Sequence, residues 1–157
     1  MTASKIDTYR QVSSEILSVL EGEVHFVTRM ATVSCLLSQA FPHFYWTGFY
    51  MVDPYTHNEL VVGPYQGTLG CLRIPFGKGV CGKVAETETT QIVDDVSVFS
   101  GHISCDINTK SEIVVPVWDS TAELIAVLDI DSTYHSSFDQ TDKDALEYIL
   151  QHVFAEG

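Results

Sequence analysis

Basic side chains are scarce in this chain. Lys and Arg number eight in 157 residues against 21 Asp and Glu, for a formal charge of −13 at pH 7. A surface of that sign repels phosphate backbones and anionic headgroups, so nucleic acid and membrane are poor partner classes. No apolar run nears the ~20 residues that span a bilayer. The N-terminal MTASKIDTYR lacks the apolar core of a secretion signal, so the expected compartment is the cytoplasm. In that reducing compartment the four cysteines do not make a structural disulfide framework. Nor do they pair at zinc-site spacing: Cys71 and Cys81 are ten apart, His102 and Cys105 three apart, so no metal is expected. Gly77-Lys-Gly79 is too short for a phosphate loop. There is no Gly-x-Ser-x-Gly elbow and no dinucleotide fingerprint, and no cofactor is expected.

What is present fits one globular domain over residues 1–157, with 45% hydrophobic and 18% charged residues. Residues 4–20 read as an amphipathic helix with Ile6, Tyr9, Ile16, Leu17 and Leu20 near one face, stopped at Gly22. A second helix is expected at 23–40, with Val24, Val27, Ala31 and Cys35 as its core stripe. That spacing makes Cys35 an inert buried thiol. Pro42 ends the helix.

FYWTGFYMV over 44–52 is a strand. Alternation sets Trp46, Gly48 and Tyr50 on one face and Tyr45, Thr47, Phe49 and Met51 on the other. Gly48 between two aromatics marks either a close ligand approach or a glycine bulge, and this stretch alone favours the bulge. Glu59–Val62 completes a hairpin, and 69–74 is a third strand. Pro75–Gly79 turns into a helix at 79–87, where the macrodipole favours a thiolate on Cys81 in the first turn. A brief strand at 91–94 and a polar loop at 95–110 precede a central antiparallel pair, 112–118 and 123–130. Asp139 opens a final helix that turns Leu146, Ile149, Leu150 and Val153 to one face. The fold class is α+β: an antiparallel central sheet, N- and C-terminal helices on one face, and a ligand pocket under the 67–110 excursion on the other.

Three of the four cysteines, Cys71, Cys81 and Cys105, lie in the Gly67–Val117 stretch. Downstream of these cysteines, Glu112, Asp129 and Asp131 end adjacent strands and crowd together. Clustered carboxylates raise one another's pKa, so one can stay protonated and donate while others hold a cation. A low-pKa cysteine that takes oxygen becomes a sulfenic acid, and a second thiol resolves it as a disulfide. Cys105 has His102 three residues away in a polar loop, and Cys71 is close enough in the excursion to meet it. For any one thiol, a bland accessible cysteine competes evenly with a catalytic one. The joint pattern points to redox chemistry on a small polar molecule.

The segments WTGFY (46–50), CLRIPFGKGVCG (71–82), HISCD (102–106), SEIVVP (111–116) and VLDIDS (127–132) resemble the GAF-fold free methionine-(R)-sulfoxide reductases. The resemblance covers nearly the whole chain and implies a single GAF domain acting as an enzyme. It implies Cys105 as nucleophile, Cys71 as the preferred resolving thiol and Cys81 as an alternative or auxiliary one. Glu112, Asp129 and Asp131 would bind the ammonium and sulfoxide of the free amino acid, with Trp46 and Tyr50 beside its methyl-sulfoxide end. Thioredoxin or a similar dithiol would reduce the Cys71–Cys105 disulfide, and the resemblance also points to a homodimer. The competing reading is a non-catalytic, small-molecule-sensing GAF module, which fold analogy alone would favour. Against it stands an acidic pocket that would repel an anionic ligand.

Overall fold

The strands at 111–118 and 124–132 are apolar on both sides because both of their faces are covered. The computed structural model describes residues 4–103 and 105–156. In it the chain runs α1 (Lys5–Val19), α2 (Phe26–Ala40), β1 (Trp46–Val52), β2 (Glu59–Gln66), β3 (Arg73–Pro75), α3 (Gly79–Thr87), β4 (Gln91–Val93), β5 (Ser111–Trp118), β6 (Leu124–Ser132) and α4 (Gln140–Leu150). The strands form one antiparallel sheet in the order β3-β2-β1-β6-β5-β4. The expected α+β architecture holds.

Period two divides β5 and β6 between two cores. Ile113, Val115, Val117, Leu128 and Ile130 join Ile16, Met30, Leu37 and Leu146 under α1, α2 and α4. Val114 and Val127 face the opposite way, with Trp46, Tyr50, Val80, Cys81 and Val84 of the α3 side. Glu112, Asp129 and Asp131 share the parity of that second set. The terminal helices are tied by Asp142, which is fully buried and accepts from the Tyr9 hydroxyl at 2.5 Å and from Lys5 Nζ at 2.7 Å. The same carboxylate accepts the Asp139 backbone N–H and so closes the capping box of α4.

Four local expectations are corrected. Helix α2 buries Arg29, Met30, Val33, Ser34 and Leu37. Val24, Val27 and Ala31 are exposed, and Cys35 is half-buried rather than on the core stripe. Two apolar stripes overlap in this helix, and the one carrying Met30 and Leu37 removes more area from water, which sets the rotation. In α1, Val12 takes the core position and Ile6 is half exposed. The third strand is only 73–75, because the chain from Gly67 to Leu72 leaves the sheet to cross Trp46. A Cβ at Gly67 or at Gly70 would stand 2.9 Å from that indole. Tyr45, which precedes β1, packs on the Trp46 side and escapes the alternation expected of it.

Gly48 serves the fold. A Cβ there would lie 2.1 Å from Tyr65 Cβ, and the β1–β2 register shifts between Gly48 and Tyr50. The extra residue lies in β2, where Gly63 and Pro64 face Phe49, so Gly48 is not itself a bulge; it admits the close approach of Tyr65, which stacks on Trp46 with centroids 4.8 Å apart.

Candidate active site

Strand register assembles the acidic floor. Glu112 pairs with Asp131 across β5–β6, and Asp131 and Asp129 pair with Trp46 and Gly48 across β6–β1. The three carboxylates therefore meet the Trp46–Tyr50 wall on one sheet face. Trp46 and Tyr50 are buried and stacked, with centroids 5.6 Å apart. Across from them α3 brings Cys81, and the loop after β4 brings His102, Ile103 and Cys105. The cavity is narrow, about 50 Å³, and all eight sequence-nominated residues lie at or beside it: seven line it and Cys71 is bonded to one of them, Cys105.

The floor is electrostatically unbalanced. Glu112 and Asp129 are buried, and Asp131 is half-buried. Asp129 Oδ1 and Asp131 Oδ1 are out of solvent and, among the described residues, accept no hydrogen bond, and the ion pairs among those residues lie elsewhere. Burial pushes Glu112 well above the usual carboxylate range, with Asp129 adding to it. Burial does the same to Asp129, reinforced by Asp131, and to Asp131, reinforced by Glu112. Such a floor is stabilised by a bound cation, and its carboxyls keep their protons to higher pH than ordinary ones, which suits one of them to act as a proton donor.

The thiols separate into two classes. Cys71 and Cys105 are joined in a disulfide, with Cα atoms 5.4 Å apart and a sequence separation of 34. Cys105 is exposed and Cys71 half-buried. Cys81 is a free, buried thiol against Glu112 and Asp129. Burial and then the charges of Asp129, Glu112 and Asp131 push it well above the ordinary thiol range. This overturns the expected thiolate, because the dipole of a nine-residue helix is outweighed by desolvation and three acids. Cys81, Glu112 and Asp129 also bring ligand atoms within 4.8 Å of one another.

Sequence reasoning missed three contributors. Gly70 lies so close that a Cβ would stand 2.9 Å from the Tyr50 hydroxyl oxygen, and its place beside Cys71 was the available signal. Asp106 was seen only as a flank of Cys105, and Ile103 gave no signal. Ser104 of the same segment lies outside the described residues. His102 lines the cavity, and burial lowers its pKa, so it is a neutral imidazole at pH 7.

The GAF domain family model matches residues 8–155. A free methionine-R-sulfoxide reductase of Saccharomyces cerevisiae is 43% identical over 137 residues, covering 85% of this chain and 76% of the relative. One from Escherichia coli is 37% identical over 150 residues, covering 96% and 88%. The X-ray structure of the free methionine-R-sulfoxide reductase from Neisseria meningitidis, in complex with its substrate, superposes with a TM-score of 0.92 at 39% identity, over 98% of this chain and 90% of that one. With matches of this extent, the chain belongs to the GAF domain family and, within it, to the free methionine-R-sulfoxide reductases.

Proposed function

We propose that the chain reduces free L-methionine-(R)-sulfoxide to methionine, with Cys105 as nucleophile and Cys71 as resolving thiol. The observation that carries this reading is the Cys71–Cys105 disulfide beside a cavity with an unpaired acidic floor. The substrate's ammonium supplies the cation that floor lacks. One protonated carboxyl of the Glu112, Asp129 and Asp131 set donates to the sulfoxide oxygen as Cys105 attacks sulfur. The sulfoxide S–O bond breaks, oxygen passes to Cys105 as a sulfenic acid, and methionine leaves with its sulfur reduced by two electrons. Cys71 then attacks Cys105 Sγ, the disulfide forms, and the hydroxyl leaves as water. Trp46 and Tyr50 hold the methyl-sulfoxide end. Cys81, protonated and walled in by acids, takes an auxiliary part.

Two partners belong to the same reading. Thioredoxin or a similar dithiol reopens the disulfide, and the exposure of Cys105 supports it as the sulfur an external thiolate reaches. A homodimer, with the cytoplasm as compartment, is proposed as the working state. An anionic ligand, as a nucleotide-sensing module would need, meets three carboxylates and is disfavoured. Incubation with each epimer of free methionine sulfoxide and a dithiol tests the activity: methionine from the R epimer alone supports it, and none from R sinks it.

A further inference from the structure

Beside the carboxylate floor, a second polar cluster joins the two thiol-bearing loops. Asp106, the residue after Cys105, accepts through Oδ2 from the Tyr45 hydroxyl at 2.8 Å and from the Thr68 hydroxyl at 2.7 Å. Its Oδ1 accepts the Asn108 backbone N–H at 2.8 Å and so fixes the turn that follows Cys105. Thr68 lies three residues before Cys71, and its carbonyl accepts from Trp46 Nε1 at 2.8 Å. Tyr45 donates its backbone N–H to the Asp131 carbonyl at 2.8 Å. One carboxylate thus couples the Cys105 turn, the Cys71 arm and the rigid start of β1. These donors hold the Asp106 carboxyl below the usual carboxylate range.

We propose that Tyr45, Thr68 and Asp106 form a clasp that positions Cys71 for attack on oxidised Cys105. They are positioning residues for the resolving step. Cys71 sits on an arm that leaves the sheet at Gly67 and rejoins it at Leu72, whose carbonyl accepts the Val62 N–H at 3.0 Å, followed by Arg73, whose guanidinium pairs with the buried carboxylate of Asp53. Between those anchors the arm exposes Leu69 and Leu72 and contributes little apolar burial of its own. Without a tether it would sample many positions, and the local concentration of one thiol at the other would fall. The Trp46 Nε1 bond fixes the Thr68 carbonyl to β1, and two hydrogen bonds to an ionised acceptor, one from Thr68 and one from Tyr45, fix the Cys105 turn to the same point. In the step they serve, the Cys71 thiolate forms the S–S bond, the Cys105 S–O bond breaks, and hydroxide takes a proton to leave as water.

The inference rests on the reductase reading for its purpose, but its test does not need a substrate. The double variant Tyr45→Phe, Thr68→Val removes the two donors and, with the Tyr45 hydroxyl, a long contact from Asn108 Nδ2 at 3.5 Å. Equilibrated with reduced and oxidised glutathione, it should show an effective Cys71/Cys105 thiol concentration roughly tenfold below the parent chain. Thr68→Ser, which restores a hydroxyl, should stay near the parent, and Asp106→Asn should fall with the double variant. Unfolding of the reduced forms, followed in parallel, should be unchanged. With sulfoxide, the double variant should make its first methionine at the parent rate while dimedone captures more Cys105 sulfenic acid. A double variant within twofold of the parent in glutathione overturns the clasp. A tenfold fall with no methionine from any form upholds the clasp and removes the reductase reading.

Discussion

Glu112 stands directly opposite Asp131 across the β5–β6 ladder, two like charges at a paired position on the covered face of a sheet. Such a pair costs stability, and here Asp129 enlarges the cost. A protein that keeps it has a use for an unmet demand for positive charge.

The demand should be visible in stability against pH. The folded pKa values of Glu112, Asp129 and Asp131 lie above their unfolded values, so the native state binds more protons than the unfolded one. Their contribution is therefore most favourable in acid and is lost as pH rises from the ordinary carboxylate range through the raised values. Asp129→Asn should flatten that loss and stabilise the empty protein by of order 1 kcal/mol at neutral pH while abolishing turnover. Urea denaturation of parent and variant between about pH 4 and 8 measures it. A variant with an unchanged pH profile would contradict the account.

On the proposed reading, the same floor also sets substrate choice. Capping the amine, as in N-acetyl methionine sulfoxide, removes the cation and adds a carbonyl facing buried acids. We expect kcat/KM to fall by a factor of 10² or more. Equal turnover of capped and free substrates would remove the role given to the carboxylates.

Much of this site could be read from the chain because its parts obey short-range rules. The alternation of Val127, Asp129 and Asp131 places both acids on one face, and Pro75–Gly79 fixes the start of α3. Two kinds of information were not local. The rotation of α2 depended on which of two overlapping stripes meets the sheet, and Cys81 gained its protonated state from β5 and β6, strands far along the sequence. The path of 67–72 over Trp46 likewise depended on cross-strand contacts that spacing does not encode.

Cys81 and Cys35 should differ sharply in reactivity. With the disulfide intact, Cys35 is half-buried and Cys81 is buried among acids that oppose its ionisation. Iodoacetamide near pH 8 should label Cys35 more than tenfold faster than Cys81, as peptide mass mapping would show. Faster labelling of Cys81 would mean that its surroundings open readily.

Gly48 separates fold from ligand. Gly48→Ala forces a Cβ into Tyr65, 2.1 Å away through backbone-anchored atoms, and should cost about 3 kcal/mol or more of stability. A variant of normal stability with impaired substrate binding would instead return the glycine to the ligand-gap role.

The central claim concerns which sulfurs carry the electrons, and a single turnover without added reductant tests it most directly. The fully reduced chain, mixed with excess R epimer, should yield one methionine per chain, with Cys71 and Cys105 recovered as one disulfide-linked peptide pair; Cys71→Ser should give the methionine without that link, and Cys105→Ser neither. Methionine produced while Cys105 remains a free thiol would contradict the account.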